Sequence, residues 1–137
     1  MNNIIYTLKG TDKEYILSND YTISELILFT GNIYLRQSIE EIVEVITARF
    51  KDNNEIIGCT IIYIDYTDYV IDSVYVRDDM RRLGVGTTII SYILKKYNTR
   101  EQPLDILSVK NATPFWETMG FRVVLSEDDI DQMTYKR

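Results

Sequence analysis

Residues 81–87 have the clearest potential for chemistry in this sequence. An arginine pair there precedes two glycines that stand one residue apart. The apolar, β-branched run that ends at Val76 predicts a strand before the segment, and an apolar face with helical spacing predicts a helix after it. The free N–H groups and the dipole at the start of a helix favour a bound anion, and glycine lets backbone approach a phosphate closely. The segment therefore predicts a phosphate-binding loop, made of Arg81, Arg82, Leu83, Gly84, Val85, Gly86 and Thr87.

Three kinds of phosphate loop and a plain turn compete for this segment. A P-loop needs Gly-Lys-Ser/Thr, and no lysine follows either glycine, so that loop is excluded. A dinucleotide-binding fingerprint needs a third glycine where Ile89 stands, which makes the match weak. The third kind is Arg/Gln-x-x-Gly-x-Gly/Ala after a strand that ends in an apolar-x-Val pattern, and residues 74–86 fit it. The segment alone does not decide between this loop and a turn whose glycines serve only backbone geometry.

A second pattern further along the chain favours one of these interpretations of the loop. Its residues are Ala112, Phe115, Trp116, Gly120 and Phe121. Together the two patterns resemble the GNAT superfamily of N-acetyltransferases, which has this loop for the acetyl-CoA pyrophosphate and commonly ends with Ala-x-x-Phe-Tyr-x-x-x-Gly-Phe. A glycine after an apolar pair, here Gly58, is a slight third point of resemblance, and this glycine could equally mark a β-bulge. The resemblance is good over residues 38–125 and loose over the N-terminal third.

Composition narrows the classes of function. With 137 residues, 45% of them apolar and 26% charged, the chain is expected to form one soluble domain over residues 1–137. It has no histidine, which excludes Ser-His and Cys-His nucleophilic systems and most transition-metal sites, so no metal is expected. The net charge of −6 disfavours nucleic acid as a partner and is compatible with an amine substrate.

Nothing in the sequence points to a membrane or to export. No apolar run approaches the roughly 18 residues of a membrane-spanning helix. The first residues lack a basic region followed by a small-residue cleavage site, so a signal peptide is not expected. Cys59 cannot form an internal disulfide, and its apolar surroundings predict a buried thiol. We therefore expect a cytoplasmic protein without a membrane partner.

The predicted elements follow the order of the GNAT fold. Ile4–Leu8 predicts a first strand, and capping boxes that begin at Thr22 and Ser38 predict two short helices. Three strands separated by short polar turns predict an antiparallel meander, at 45–50, 56–64 and 70–76. A helix then leads to a strand at 104–109, which should run parallel to the last strand of the meander.

The last elements complete the predicted fold. Pro114 suits the first turn of a final helix, and Gly120 suits its left-handed end. Strands at 121–125 and 133–136 follow, the second as an edge strand. The predicted class is α/β (α+β), with a GNAT-like mixed sheet of six to seven strands, an antiparallel meander followed by a β-α-β parallel pair, and about four flanking helices. In this family the parallel pair splays apart where CoA enters.

The resemblance implies transfer of an acetyl group from acetyl-CoA directly to an amine. Backbone N–H groups of residues 83–87 would hold the pyrophosphate, with added charge from the arginine pair. Val74 and Val76 would lend backbone groups to the pantetheine arm, and the Val76 N–H would polarise the thioester carbonyl. Asn111 stands later than the asparagine of the family and could instead cap the last helix. The further CoA contacts carried over from the family are Asn111, Phe115 and Trp116.

The proton transfers need residues of their own. A lysine-like amine has a pKa near 10.4, so neutral attack at pH 7 costs about 4–5 kcal/mol without a base. Asp72, acting through water, is the candidate base, and strand alternation places it on the face of Val74 and Val76. An equal alternative is that Asp72 ends a turn or caps a neighbour.

Trp116 is the main departure from the family pattern, because a tyrosine usually stands there and protonates the leaving thiolate. Indole cannot act as that acid. Three explanations stay open. The thiolate, with a pKa near 8.5, leaves unaided; another of the 11 tyrosines supplies the proton; or the domain binds CoA and catalyses poorly.

Two hypotheses of function follow, besides a plain interaction domain. The first is an N-acetyltransferase acting on a primary amine of a small molecule or peptide. The second is a non-catalytic acyl-CoA-binding regulatory module on the same fold. The acceptor should bind near residues 19–36 and 126–132, where Tyr21, Phe29 and Tyr34 could line the site or belong to the core. Dimers are common in the family, so a homodimer is a further expectation.

Overall fold

The computed structural model describes residues 4–35, 39–97 and 103–135 of the chain. Within these ranges eight β-strands form one sheet, accompanied by three α-helices. The strands are Ile5–Thr7 (β1), Glu14–Ser18 (β2), Ile42–Phe50 (β3), Ile56–Asp65 (β4), Asp68–Val76 (β5), Leu104–Val109 (β6), Phe121–Ser126 (β7) and Ile130–Tyr135 (β8). The helices are Ile23–Thr30 (α1), Val85–Tyr97 (α2) and Thr113–Thr118 (α3).

The sheet has the order β1-β2-β3-β4-β5-β6-β8-β7, and β5 and β6 are its parallel pair. β3, β4 and β5 form the predicted antiparallel meander. α2 crosses from β5 to β6, as a parallel connection requires. The predicted GNAT-like mixed sheet is therefore confirmed, although the described residues contain more strands and fewer helices than expected.

Helices cover both faces of the central strands, so these strands are buried on both sides. On one face α2 contributes Ile89, Ile90 and Ile93 to the larger core. On the other face α1 covers a smaller core, made of Leu26, Leu35, Val45, Cys59 and Ile61. Two covered faces explain why β3 and β4 are buried at most positions instead of at every second one.

The predicted capping box at the start of α1 is confirmed. The backbone N–H of Glu25 donates to Thr22 Oγ1 at 3.1 Å, and the backbone N–H of Thr22 donates to Glu25 Oε1 at 2.9 Å. The helix ends at Gly31, whose φ of 74° lies in the left-handed region. Of the second predicted helix, Ser38 lies outside the described residues, and Ile39–Glu41 forms a single 3₁₀ turn. The β-branched run that follows enters β3 at once, which leaves no room for a longer helix.

The sequence-based prediction missed β2. This strand pairs with both β1 and β3, and Tyr15 and Leu17 point into the core at alternate positions. It is short and has a polar residue at each end, so its period of two is visible over only two buried side chains.

The predicted order of the last two strands is wrong. β8 lies between β6 and β7, so β7 is the edge strand and β8 is internal. Met133 of β8 is fully buried, whereas most of β7 is exposed. Which strand of a hairpin joins the sheet depends on this burial and not on the order along the chain. Lys136, the predicted end of the strand, lies outside the described residues.

Candidate functional site

The parallel strands β5 and β6 separate halfway along their length. Pairing joins Tyr69–Ile71 to residues 104–106 and goes no further within the described residues. Beyond that point β6 continues beside β8, while the last residues of β5 keep only β4 as a neighbour. We call the resulting gap beside residues 72–76 the β5–β6 cleft. It is the splay expected of the parallel pair.

A β-bulge in β5 decides which backbone groups face this cleft. Thr60 lies opposite Val74, whereas Ile62 lies opposite Ile71, so β5 has one extra residue between these two pairs. After the bulge, the N–H of Arg77 donates to the Ile57 carbonyl of β4 at 2.9 Å. Because the backbone groups of successive residues point to alternate sides, residues 74 and 76 face away from β4.

Val74 and Val76 therefore present their N–H and C=O groups to the cleft, where no described strand pairs with them. These are the two residues predicted to lend backbone groups to pantetheine and to the thioester. The arrangement can bind an extended, amide-containing chain as an added strand.

The predicted phosphate loop opens on the same cleft. The first helical hydrogen bond of α2 runs from the Thr88 N–H to the Gly84 carbonyl at 3.0 Å. The N–H groups of the first turn, in Val85, Gly86 and Thr87, precede that bond and have no acceptor within the helix. A Cβ on Gly86 would lie 3.6 Å from Val76 Cγ2, so the helix start and the strand end are immediate neighbours.

The side chains of the loop contribute less than its backbone. Val85 is buried, so it can reach a ligand only through its backbone, and Leu83 is partly buried against the larger core. Arg81 is mostly exposed and pairs with Asp78 at 3.0 Å. Arg82 is also exposed, with a φ of 66°. Gly84 has a φ of 94°, a backbone conformation that L side chains rarely adopt.

The predicted face of Asp72 is wrong. Val74 and Val76 pack toward the larger core, whereas Tyr75 packs toward the smaller core beneath α1. The Tyr75 hydroxyl donates to Asp72 Oδ2 at 3.0 Å, which places Asp72 on the α1 face. The bulge is the cause, because its extra residue breaks the alternation that the prediction assumed. Burial raises the pKa of Asp72, and the hydrogen bond from Tyr75 lowers it in part.

The two aromatic residues of the second pattern have different surroundings. Trp116 is 5% exposed, and its ring centroid lies 5.4 Å from that of Phe115 and 5.3 Å from that of Phe121. Its indole is a core residue, while Phe115 is 42% exposed. Asn111 is exposed, and α3 begins after Ala112 without a side-chain cap, so the alternative role of Asn111 as a helix cap is wrong.

The predicted ends of α3 are confirmed. Pro114 stands in the first turn, and Gly120 follows the last helical residues with a φ of 100°. A Cβ on Gly120 would lie 2.9 Å from Cε1 of the Tyr135 ring, so this position needs glycine for space as well as for conformation.

Sequence reasoning missed the role of Gly58 and the pairing of Tyr75 with Asp72. A Cβ on Gly58 would meet Val85 Cγ1 at 2.9 Å and the Tyr75 carbonyl oxygen at 3.2 Å, so this glycine lets the start of α2 settle on the sheet. The apolar pair before Gly58 was the available signal. For Tyr75 no local signal existed, because residues three apart on a regular strand face opposite sides.

A groove of about 990 Å³ lies between α1 and the ends of β4 and β5. It includes Phe29 of α1, Tyr75, and the cleft residues Val74 and Val76, and we call it the α1 groove. Tyr34 is mostly exposed and does not belong to the core. The groove gives an acceptor a route to the strand end from the face opposite α2.

Metal-ligand groups and membrane-spanning helices are both lacking in the described part of the chain. No three His, Cys, Asp or Glu side chains there gather as they would around a metal ion. No helix there is long and apolar enough to cross a membrane.

Comparison with known proteins agrees with the geometry. The family model for the acetyltransferase (GNAT) domain matches residues 19–133. No curated protein sequence matches the chain.

Solved structures share the fold at low sequence identity. A GNAT family acetyltransferase from Elizabethkingia anophelis with acetyl-CoA bound has a TM-score of 0.68 at 20% identity, over 90% of this chain and 98% of that one. A Bacillus subtilis acetyltransferase in complex with CoA has a TM-score of 0.70 at 16% identity, over 96% and 99%. Arabidopsis thaliana Naa50 in complex with the bisubstrate analogue CoA-Ac-MVNAL has a TM-score of 0.72 at 10% identity, over 90% and 99%.

Proposed function

Because the chain belongs to the GNAT acetyltransferase domain family, we propose that it transfers an acetyl group from acetyl-CoA to a primary amine of a small molecule or peptide. One observation carries the proposal. The unpaired backbone groups at the end of β5 and the free N–H groups at the start of α2 open on one cleft. Such a cleft can hold both the amide chain and the phosphates of one extended cofactor.

In this proposal the backbone holds acetyl-CoA. The pyrophosphate accepts hydrogen bonds from the first turn of α2, and Arg81 supplies positive charge from the loop. The pantetheine arm runs along Val74 and Val76, and the Val76 N–H donates to the thioester carbonyl as negative charge develops on its oxygen. The similar proteins from Elizabethkingia anophelis and Bacillus subtilis, solved with acetyl-CoA or CoA, support this choice of co-substrate.

The acceptor amine enters from the α1 groove and attacks the thioester directly in a ternary complex. Asp72 takes the amine proton through a water molecule, and its raised pKa makes it a stronger base than an ordinary aspartate. The CoA thiolate leaves without a protein acid at Trp116, since that indole is buried and donates only. With a thiol pKa of about 8.5, this departure is chemically tolerable.

The second candidate is a non-catalytic acyl-CoA-binding regulatory module. The observation that favours it is Trp116, a buried core residue where the family has its acidic tyrosine. This candidate shares the cleft and differs in outcome, because it binds acetyl-CoA without releasing CoA when amines are added.

The first test is binding and turnover. Millimolar acetyl-CoA should raise the melting temperature of the protein, because a ligand that binds only the folded state stabilises it. A panel of small amines and short peptides should then release free CoA thiol, measured with a thiol-reactive dye. Binding without thiol release across the panel would favour the regulatory module. Absence of any thermal shift would overturn both candidates.

The second test substitutes the loop glycine. Gly84→Val should abolish acetyl-CoA binding, and the positive φ should cost about 1–3 kcal/mol of stability. Gly31→Val is the matched control, because Gly31 has a φ of 74° and equally open surroundings but ends α1. The control should lose similar stability and keep the thermal shift. If Gly84→Val still binds acetyl-CoA, the loop is not the phosphate cradle.

A further inference from the structure

The bulge in β5 brings together two side chains that a regular strand would separate. Asp72 and Tyr75 are three residues apart and would point to opposite faces of an unbroken strand. The extra residue after Ile71 puts both on the α1 face, with the phenol oxygen 3.0 Å from Asp72 Oδ2. The same bulge turns Val74 and Val76 toward the cleft, so one irregularity sets both halves of the site.

The two oxygens of Asp72 have different roles available to them. Oδ2 accepts the hydrogen bond from Tyr75. Oδ1 has no hydrogen-bond partner among the described residues. Every fully buried side-chain nitrogen or oxygen atom in that part of the chain has a partner, so Oδ1 is not fully buried. Oδ1 is therefore reached by solvent, and a water molecule or an amine can meet it there.

No cation faces Asp72 among the described residues. Cys59 approaches it from β4, and burial, then the Asp72 charge, raise the pKa of that thiol to about 12, so it stays neutral. Burial, then Asp72, raise the pKa of Tyr75, with smaller contributions from Cys59 and Tyr63, so its hydroxyl stays protonated and remains a donor. Tyr75 is thus the one described group that favours the ionised form of Asp72.

We infer that Tyr75 is a positioning residue that holds Asp72 ionised, with Oδ1 turned toward the acceptor amine. The inference rests on the proposed function. The acceptor attacks as the neutral amine. As its nitrogen bonds to the thioester carbon and the carbon–sulfur bond breaks, the one proton that the nitrogen loses passes through water to Oδ1, and CoA leaves as the thiolate. Tyr75 keeps its own proton throughout and fixes Oδ2.

The test compares two tyrosines that each donate to a carboxylate, one half-buried at Asp72 and one buried at Glu44. Tyr75→Phe removes the bond to Asp72, and Tyr97→Phe removes a 2.7 Å bond to Glu44 Oε1, away from the cleft. In Tyr75→Phe, kcat/KM on the acid side of its pH profile should fall about tenfold, the effect of losing one hydrogen bond to a charged group. At alkaline pH the loss should shrink. Tyr97→Phe should leave the position of the acid limb unchanged.

A double variant and a direct titration complete the test. Added to Asp72→Asn, Tyr75→Phe should cause no further loss of kcat/KM, because its effect passes through Asp72. A carboxyl-carbon NMR titration should give Asp72 a higher pKa in Tyr75→Phe than in the unchanged protein, and it needs no turnover. An unshifted acid limb, an additive double variant or an unshifted Asp72 pKa overturns the inference. Absence of thiol release in the unchanged protein overturns the proposed function instead, and the NMR titration still decides whether Tyr75 holds Asp72.

Discussion

Glu44 and Asp72 are carboxylates on the same sheet, and each accepts a hydrogen bond from a tyrosine, yet their surroundings differ. Glu44 is 8% exposed at the start of β3. Four side chains donate to it, namely Tyr97 at 2.7 Å, Asn19 and Lys96 at 2.9 Å, and Tyr92 at 3.2 Å. Asp72 is half-buried and has Tyr75 as its one described donor.

The number of hydrogen-bond donors decides whether the pKa is shifted down, as at Glu44, or up, as at Asp72. Burial pushes the pKa of Glu44 upward, but the bonds from Lys96, Tyr97 and Asn19 outweigh it and hold the pKa below its usual range. At Asp72 burial outweighs the single bond, and the pKa stays raised. Glu44 is thus locked as a structural anion, whereas Asp72 keeps an open oxygen and the basicity of an incompletely satisfied carboxylate.

The largest expected effect is on catalysis. Asp72→Asn should lower kcat/KM for the acceptor amine by about 10²–10⁴-fold, the usual contribution of a general base. Acetyl-CoA should still raise the melting temperature, because the loop and the strand backbone are untouched. Glu44→Gln should keep kcat/KM close to that of the unchanged protein. An Asp72→Asn variant with full activity would show that another group takes the amine proton.

The next largest effect is on stability, where Glu44→Gln should be the more damaging variant and Asp72→Asn the milder one. Glu44→Gln should lower the free energy of unfolding by about 1–3 kcal/mol, because several donors lose a charged acceptor. Urea denaturation at pH 7 measures the change. Asp72→Asn should not destabilise the fold, since the native state there already disfavours the charged form. Equal stability losses in the two variants would remove the distinction between an anchoring carboxylate and a reactive one.

The different surroundings of Glu44 and Asp72 could not be predicted from the sequence, but the strands, helix and loop around the site could. The strand before residue 77, the helix after residue 84 and the crossover to β6 follow from local periodicity and glycine placement, which depend on few neighbours. The capping box at Thr22 was readable for the same reason. Loop and fold were predictable because each local signal agreed with the global arrangement.

The bulge had no such signal. Neither the types nor the spacing of residues 72 and 73 indicates an extra residue in the strand. It becomes visible only in the register of β5 against β4. That register depends on packing across the whole hairpin, so strand alternation gave the wrong face for Asp72. The position of β8 inside the sheet could not be predicted from the sequence either, because it depends on the burial of Met133 between two neighbouring strands.

The smallest expected effect is a pH dependence of opposite sign at the two carboxyls. A lowered folded pKa means that Glu44 stabilises the fold above its ordinary value of 4.5, and that this stability is lost as pH falls through the folded pKa. The difference in stability between the unchanged protein and Glu44→Gln should therefore be full at pH 7 and disappear in acid.

Asp72 has a raised folded pKa, so its contribution to stability is full below its ordinary value of 3.8 and is lost as pH rises through the folded pKa. Asp72→Asn should accordingly gain melting temperature relative to the unchanged protein between pH 4 and pH 7, by no more than about 3 °C for a chain of this size. Thermal melts of the three proteins across this range measure both trends, and gaps that move in the same direction would mean that the two carboxyls are held alike.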